Sequence, residues 1–153
     1  MMNLNMIAVS ELIHLFLPEM VERNSGKILN NSSTASYMPG PMQAVYFATK
    51  SYVQFLSNAI AEELYDTNIT VTNLMPGATD TGFAKTADMD KTDMFQNTVS
   101  ARKVAEDGYE AMLKGKLDVV SGLTISQKLM LLFVAVTPKK IVLRQVRRMQ
   151  ELE

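Results

Sequence analysis

Tyr46 and Lys50 stand four residues apart, and Ser33 precedes the tyrosine by thirteen. On a helix, a four-residue spacing puts two side chains on one face within a turn of each other. A phenol titrates near pH 10, roughly, and a neighbouring ammonium favours the phenolate, bringing the group toward the range in which it exchanges protons with an alcohol or a carbonyl. A serine hydroxyl at the end of a strand, where alternating α/β sheets present ligand-binding groups, can hydrogen-bond a carbonyl oxygen. Each piece alone has a plainer reading: a solvated helix pair, a strand end entering a turn, and a β-turn at Pro76-Gly77. Together in one chain they point to proton transfer at a carbonyl or alcohol.

The elements that must position these groups follow from the apolar spacing. Residues 5–21 place Met6, Ile7, Val9, Leu12, Ile13, Phe16 and Leu17 around most of a helix, which predicts burial on more than one side and a kink at Pro18. The stretch Arg23-Asn24-Ser25-Gly26 is a stop signal with glycine in the cap region, and 27–32 reads as a short strand. After a turn with Pro39, Gly40 and Pro41, a long helix is predicted over 42–64, its stripe being Val45, Ala48, Tyr52, Phe55, Leu56, Ala59 and Ile60. A β-branched strand over 69–74 leads into Pro76-Gly77. The polar segment 85–98 reads as mobile and precedes a helix over 101–113 and a strand over 117–120. Two helices parted at Thr137-Pro138 complete the chain. Helix and short strand alternate, the pattern of an α/β, doubly wound parallel sheet with three strands, and no repeat or linker divides residues 1–153 into two domains.

Ser33, then Tyr46-Phe47-Ala48-Thr49-Lys50, then Pro76-Gly77-Ala78-Thr79-Asp80-Thr81, in this order, resemble the short-chain dehydrogenase/reductase family. The resemblance implies a partial Rossmann-like fold, comprising about its last three strands and their helices, with 122–153 a helical extension within the single partial domain. It implies an NAD(P)-dependent oxidoreductase interconverting a carbonyl and an alcohol, with NADP or NAD as cofactor. By this resemblance Tyr46 is general acid in reduction and base in oxidation, while Lys50 holds the nicotinamide ribose and lowers the tyrosine pKa. Ser33 orients the substrate oxygen. Asn5, thirteen residues before Pro18, takes the position of the family's fourth catalytic residue, with Asn3 a nearby competitor. Pro76, Gly77, Ala78, Thr79 and Thr81 hold the nicotinamide carboxamide through backbone groups and hydroxyls. The family pattern also has an opening strand and a glycine-rich turn that binds the pyrophosphate at a helix N-terminus. The sequence contains no such turn, so the cofactor-phosphate half, roughly a hundred residues or three βαβ steps, is expected to be missing. The alternative function is therefore a non-catalytic remnant acting as an interaction module.

Composition excludes several other classes. Fifteen basic residues against sixteen acidic ones give no general pull toward nucleic acid, and with no cysteine and one histidine no metal site is expected. His14, on the apolar helix, reads as a hydrogen-bonded core or interface residue, and no serine lies in a Gly-x-Ser-x-Gly elbow, which argues against a hydrolase. The twelve methionines read as gap fillers. The amino terminus has no secretory-signal pattern and the longest uninterrupted apolar run, 129–136, is short, so a cytoplasmic protein without membrane contact is expected. The basic, amphipathic tail from Lys139 to Met149 reads first as a solvated helix face, with contact to a membrane surface or a partner as its alternative. The expected partners are a small-molecule carbonyl or alcohol and a second copy through the two long apolar helices. The segment 82–98 is expected to form the substrate lid, without a diagnostic side chain.

Overall fold

The computed structural model describes residues 1–89, 92 and 95–151; residues 90, 91, 93 and 94 of the expected lid lie outside that set. A π-helical turn, Asn3–Ile7, runs directly into α1, Ala8–Glu22, which continues through Pro18. Then follow β1 (Gly26–Asn31), a 3₁₀ turn (Thr34–Tyr37), α2 (Ala44–Glu63) and β2 (Ile69–Pro76). The chain continues through β3 (Thr79–Asp80), α3 (Phe83–Thr86), β4 (Val99–Ser100), α4 (Ala101–Leu113) and β5 (Asp118–Ser121). It closes with α5 (Ile125–Val134) and α6 (Lys139–Gln150).

The main sheet is parallel throughout, in the order β1-β2-β5, with Ile28 opposite Val71 and Leu74 opposite Val119. The fold is thus α/β, a partial doubly wound sheet flanked by helices, as expected. The central strand β2 is buried almost end to end, with Thr72, Asn73 and Met75 fully enclosed, as a strand covered on both faces must be. A second ladder, in which β3 pairs in parallel with β4 through Thr79–Val99 and Asp80–Ser100, was not foreseen. Two-residue strands carry too little apolar periodicity to be seen in a sequence.

Three local expectations are corrected. The left-handed residue after α1 is Asn24 (φ 47°), not glycine; its side-chain carbonyl accepts from the backbone N–H of Asn68, and asparagine tolerates this conformation through such local bonds. Gly26 instead opens β1, where a Cβ would meet the Met20 side chain at 2.6 Å. α1 is not buried on several sides: Ile13 is its one buried residue, while Leu12, Leu15, Phe16 and His14 are exposed. The helix is fastened to α2 by polar contacts, Ser10 Oγ to the Tyr52 hydroxyl at 2.7 Å and Asn5 Nδ2 to Thr49 Oγ1 at 3.0 Å.

The third correction concerns α2. Its buried residues are Phe47, Thr49, Val53, Gln54 and Ser57, whereas Val45 and Phe55 of the expected stripe are exposed. The sheet-facing side is polar because it is hydrogen-bonded to β1: Asn30 Nδ2 donates to Ser57 Oγ at 2.9 Å, and Ser32 Oγ to the Lys50 carbonyl at 2.7 Å. Burial of hydroxyls and amides is tolerated when each finds a partner, so hydrophobicity alone picks out the wrong face. The helical segment Asn3–Glu22 is also long and apolar enough to cross a bilayer by length and composition, a test that core helices and signal sequences pass as well, and little of it is buried.

Candidate active site

The site is assembled where β1 and β2 end. Ser33, leaving β1, caps the 3₁₀ turn: its Oγ accepts from the Ala35 N–H at 3.1 Å and reaches the Pro76 carbonyl of β2 at 3.5 Å. Thr34 Oγ1 donates to the same carbonyl at 3.3 Å. Gly40 then lets the chain pass against α2, since a Cβ there would lie 2.1 Å from the Phe47 ring. α2 begins at Ala44, so Tyr46 sits in its first turn, with the Ser33 hydroxyl near enough to the phenol to influence its titration.

Lys50 lies one turn further along the helix. Its Nζ donates to the Asn31 carbonyl at 3.0 Å and lies 5.9 Å from the centroid of the Tyr46 ring. Burial depresses the Lys50 pKa, because desolvation disfavours the ammonium. Burial also raises the Tyr46 pKa above the ordinary phenol value, and the neighbouring Ser33 hydroxyl opposes this only in part. The direction for Tyr46 is thus upward: loss of water around the phenolate outweighs the Ser33 hydroxyl, and Lys50 is not among the groups that shift it.

Asn5 reaches α2 through a residue that the sequence reading passed over. Thr49, almost completely enclosed, accepts from Asn5 Nδ2 at 3.0 Å and donates to the Tyr46 carbonyl at 2.8 Å. A hydroxyl three residues after the tyrosine was the available signal, since serine and threonine side chains on a helix reach backbone carbonyls of the preceding turn. Asn3 lies in the same π turn and is exposed. A groove of about 480 Å³ opens between α1 and β1, and Asn5, Asn31 and Lys50 are among its walls.

The turn after β2 is held by its own backbone. Gly77 N–H donates to the Ser121 carbonyl at 2.9 Å, and a Cβ on Gly77 would meet the end of the Leu123 side chain at 2.6 Å and the Gly122 carbonyl oxygen at 3.2 Å, so a larger residue there would displace Leu123. The Ala78 carbonyl accepts from Val99 N–H at 3.0 Å, Thr79 Oγ1 donates to the Gly77 carbonyl at 3.0 Å, and Thr81 Oγ1 accepts from Phe83 N–H at 3.2 Å. Ser33, Tyr46, Lys50 and Pro76 are thus brought together, Asn5 joins them through Thr49, and the Thr79 and Thr81 hydroxyls bond within their own turn.

The expected lid does contain informative side chains. Phe83 packs on Tyr46 with centroids 5.3 Å apart, and Phe95 packs on Phe83 at 6.1 Å. Phe47 also meets Tyr46, edge to face, with centroids 5.9 Å apart. The phenol therefore stands between a hydroxyl, an ammonium and an aromatic wall, an arrangement suited to proton exchange beside an apolar substrate. Nothing in the spacing of Phe83 and Phe95 announces this, because non-repetitive turns bring them to the tyrosine.

A family model described as short chain dehydrogenase matches residues 1–92. The very-long-chain 3-oxoacyl-CoA reductase of Mus musculus is 40% identical over 85 residues, which are 56% of this chain and 27% of that protein. A short-chain dehydrogenase from Sphingobium yanoikuyae, solved in complex with NADPH, superposes with a TM-score of 0.74 at 24% identity, covering 88% of this chain and 52% of that one. A Burkholderia cenocepacia short chain dehydrogenase solved with NADP gives a TM-score of 0.74 at 19% identity, covering 95% and 58%. The chain thus spans about a quarter of the curated relative and about half of the solved chains.

Proposed function

This chain belongs to the short-chain dehydrogenase family, and from that premise we propose that it carries the catalytic half of an NAD(P)-dependent oxidoreductase that interconverts a carbonyl and an alcohol. The observation that carries the reading is the convergence of three groups where β1 and β2 end: Ser33 Oγ on the Pro76 carbonyl, the Tyr46 phenol that this hydroxyl influences, and the Lys50 ammonium 5.9 Å from the same ring. In reduction the Tyr46 hydroxyl gives its proton to the carbonyl oxygen that Ser33 orients, and in oxidation the phenolate takes the alcohol proton. Lys50 uses one donor on Asn31 and keeps two for the ribose hydroxyls of a nicotinamide nucleotide. Asn5, held by Thr49, supports the proton path on the α1 side of the helix.

The donor set fits the nicotinamide-ribose end of NADP or NAD: a desolvated ammonium, a neighbouring phenol and the turn Pro76 to Thr81. When bound, the cofactor supplies the hydride. NADP is favoured by the NADPH and NADP of the two structural neighbours. For the substrate we take the chemistry in the mouse relative's name, a long-chain 3-oxoacyl thioester; Phe83 and Phe95 beside Tyr46 support an apolar chain there. The outward Leu12, Phe16, Val45 and Phe55 suit pairing with a second copy, which light scattering of the purified protein would detect as a doubled mass.

The catalytic proposal is tested by following oxidation of NADPH and NADH with a 3-oxoacyl-CoA, before and after Tyr46→Phe. Turnover that survives the substitution sinks the mechanism. That a cofactor-phosphate half precedes these residues is a separate proposal, tested in the coding DNA upstream of Met1. An in-frame strand, glycine-rich turn and helix would support it; stop codons or unrelated coding sequence would favour an interaction module instead.

A further inference from the structure

We propose that the face formed by α5 and α6 docks onto an anionic lipid bilayer. α5 leaves most of its apolar side chains in solvent, with Ile125, Leu129, Met130, Leu132 and Phe133 between 51% and 80% exposed, while Val134 at its end packs on the Phe47 cluster. Its helical form does not depend on burial alone, because Thr124 and Gln127 form a complete capping box at its start. α6 is anchored: Val142 and Val146 pack with Phe47 in a buried cluster that Tyr46 and Val134 flank. The apolar helix is thus presented from a fixed base beside the candidate active site.

Charge identifies what covers this face. Residues 119–150 contain six cations and no acid, whereas residues 1–118 contain nine cations against fourteen acids. Arg147 pairs with Glu151, but among the described residues Lys139, Lys140, Arg144 and Arg148 are in no ion pair. A second copy meeting this face by two-fold symmetry would bring the same six cations against these, which opposes self-association here. A bilayer with anionic headgroups answers both features, taking the apolar side chains into its acyl boundary while the lysines and arginines reach the phosphates. With ten residues, α5 is far short of the roughly 20 needed to span a bilayer, so attachment is peripheral. The proposal keeps the expected cytoplasmic setting, replaces the expected lack of membrane contact, and is independent of the catalytic reading.

The test is sedimentation of the whole chain with vesicles of phosphatidylcholine containing phosphatidylserine, and with phosphatidylcholine alone. Binding to the anionic vesicles that weakens with salt is expected, with little on the neutral ones. Leu132→Glu with Phe133→Glu, both exposed residues, should abolish it with the circular dichroism spectrum retained, and Arg144→Gln with Arg148→Gln should weaken it by about tenfold or more. The proposal is overturned by failure to bind anionic vesicles, by equal binding to neutral ones, or by binding that the double glutamate variant leaves intact, which would place the contact on α1. A dimer that this variant dissolves, without vesicle binding, overturns it in favour of a second copy.

Discussion

The Tyr46 phenol is subject to opposed influences, burial pushing its pKa up and the Ser33 hydroxyl pulling it down, with burial the larger. A raised phenol stays protonated across neutral pH and above, so it is ready as an acid in carbonyl reduction and poor as a base until alkaline pH. The rate of alcohol oxidation should therefore keep climbing beyond about pH 10, the unperturbed phenol value, and in Ser33→Ala the rise should move to still higher pH. A Ser33→Ala profile displaced toward neutrality would contradict this assignment. Removal of the proton donor itself, Tyr46→Phe, should lower turnover by about a hundred- to ten-thousandfold while leaving the far-UV spectrum and thermal midpoint nearly unchanged. The same raised pKa bears on stability: its contribution is complete below the unfolded phenol value and is lost as pH rises toward and through the folded one.

At the scale of elements, α2 is the part on which the site depends, and its polar inner face is what fixes its rotation. Thr49→Val keeps the volume but removes the acceptor for Asn5 and the bond to the Tyr46 carbonyl. Urea denaturation should show a loss of about 1–3 kcal/mol, the cost of stranding a buried polar group, whereas Thr49→Ser should recover most of it. Gly40→Ala tests the approach to the start of the same helix: with the Phe47 ring 2.1 Å from the new methyl, overpacking should cost about 1–3 kcal/mol and disturb Tyr46 next door. If Gly40→Ala were neutral in both stability and turnover, the ring contact would not be positioning α2. These contacts were illegible in the sequence because an apolar count ranks Val45 and Phe55 above Thr49 and Ser57, whereas hydrogen bonds to β1 decide which side turns inward.

For the whole molecule, the residues proposed to hold a cofactor, Tyr46, Lys50 and the turn Pro76 to Thr81, would meet its nicotinamide-ribose end. Nicotinamide mononucleotide should accordingly raise the thermal midpoint of this chain about as much as NADPH does, since ligand that binds only the folded state stabilises it by its own affinity. A much larger shift with NADPH would mean that these residues also hold the phosphates and adenosine. The parallel α/β class, the helices α2 and α4 and the spacing of Tyr46 and Lys50 along one helix were determined by the sequence, because periodicity and spacing along one helix are local properties. Only the tertiary structure decided which face of α2 is inward, that Thr49 links Asn5 to α2, that Phe83 and Phe95 stack beside the phenol, and that desolvation outweighs Ser33 in setting the direction of the Tyr46 pKa. Each of these depends on groups far apart in the chain meeting in a water-poor space, where a hydrogen bond or the loss of hydration counts for more than any single residue's propensity.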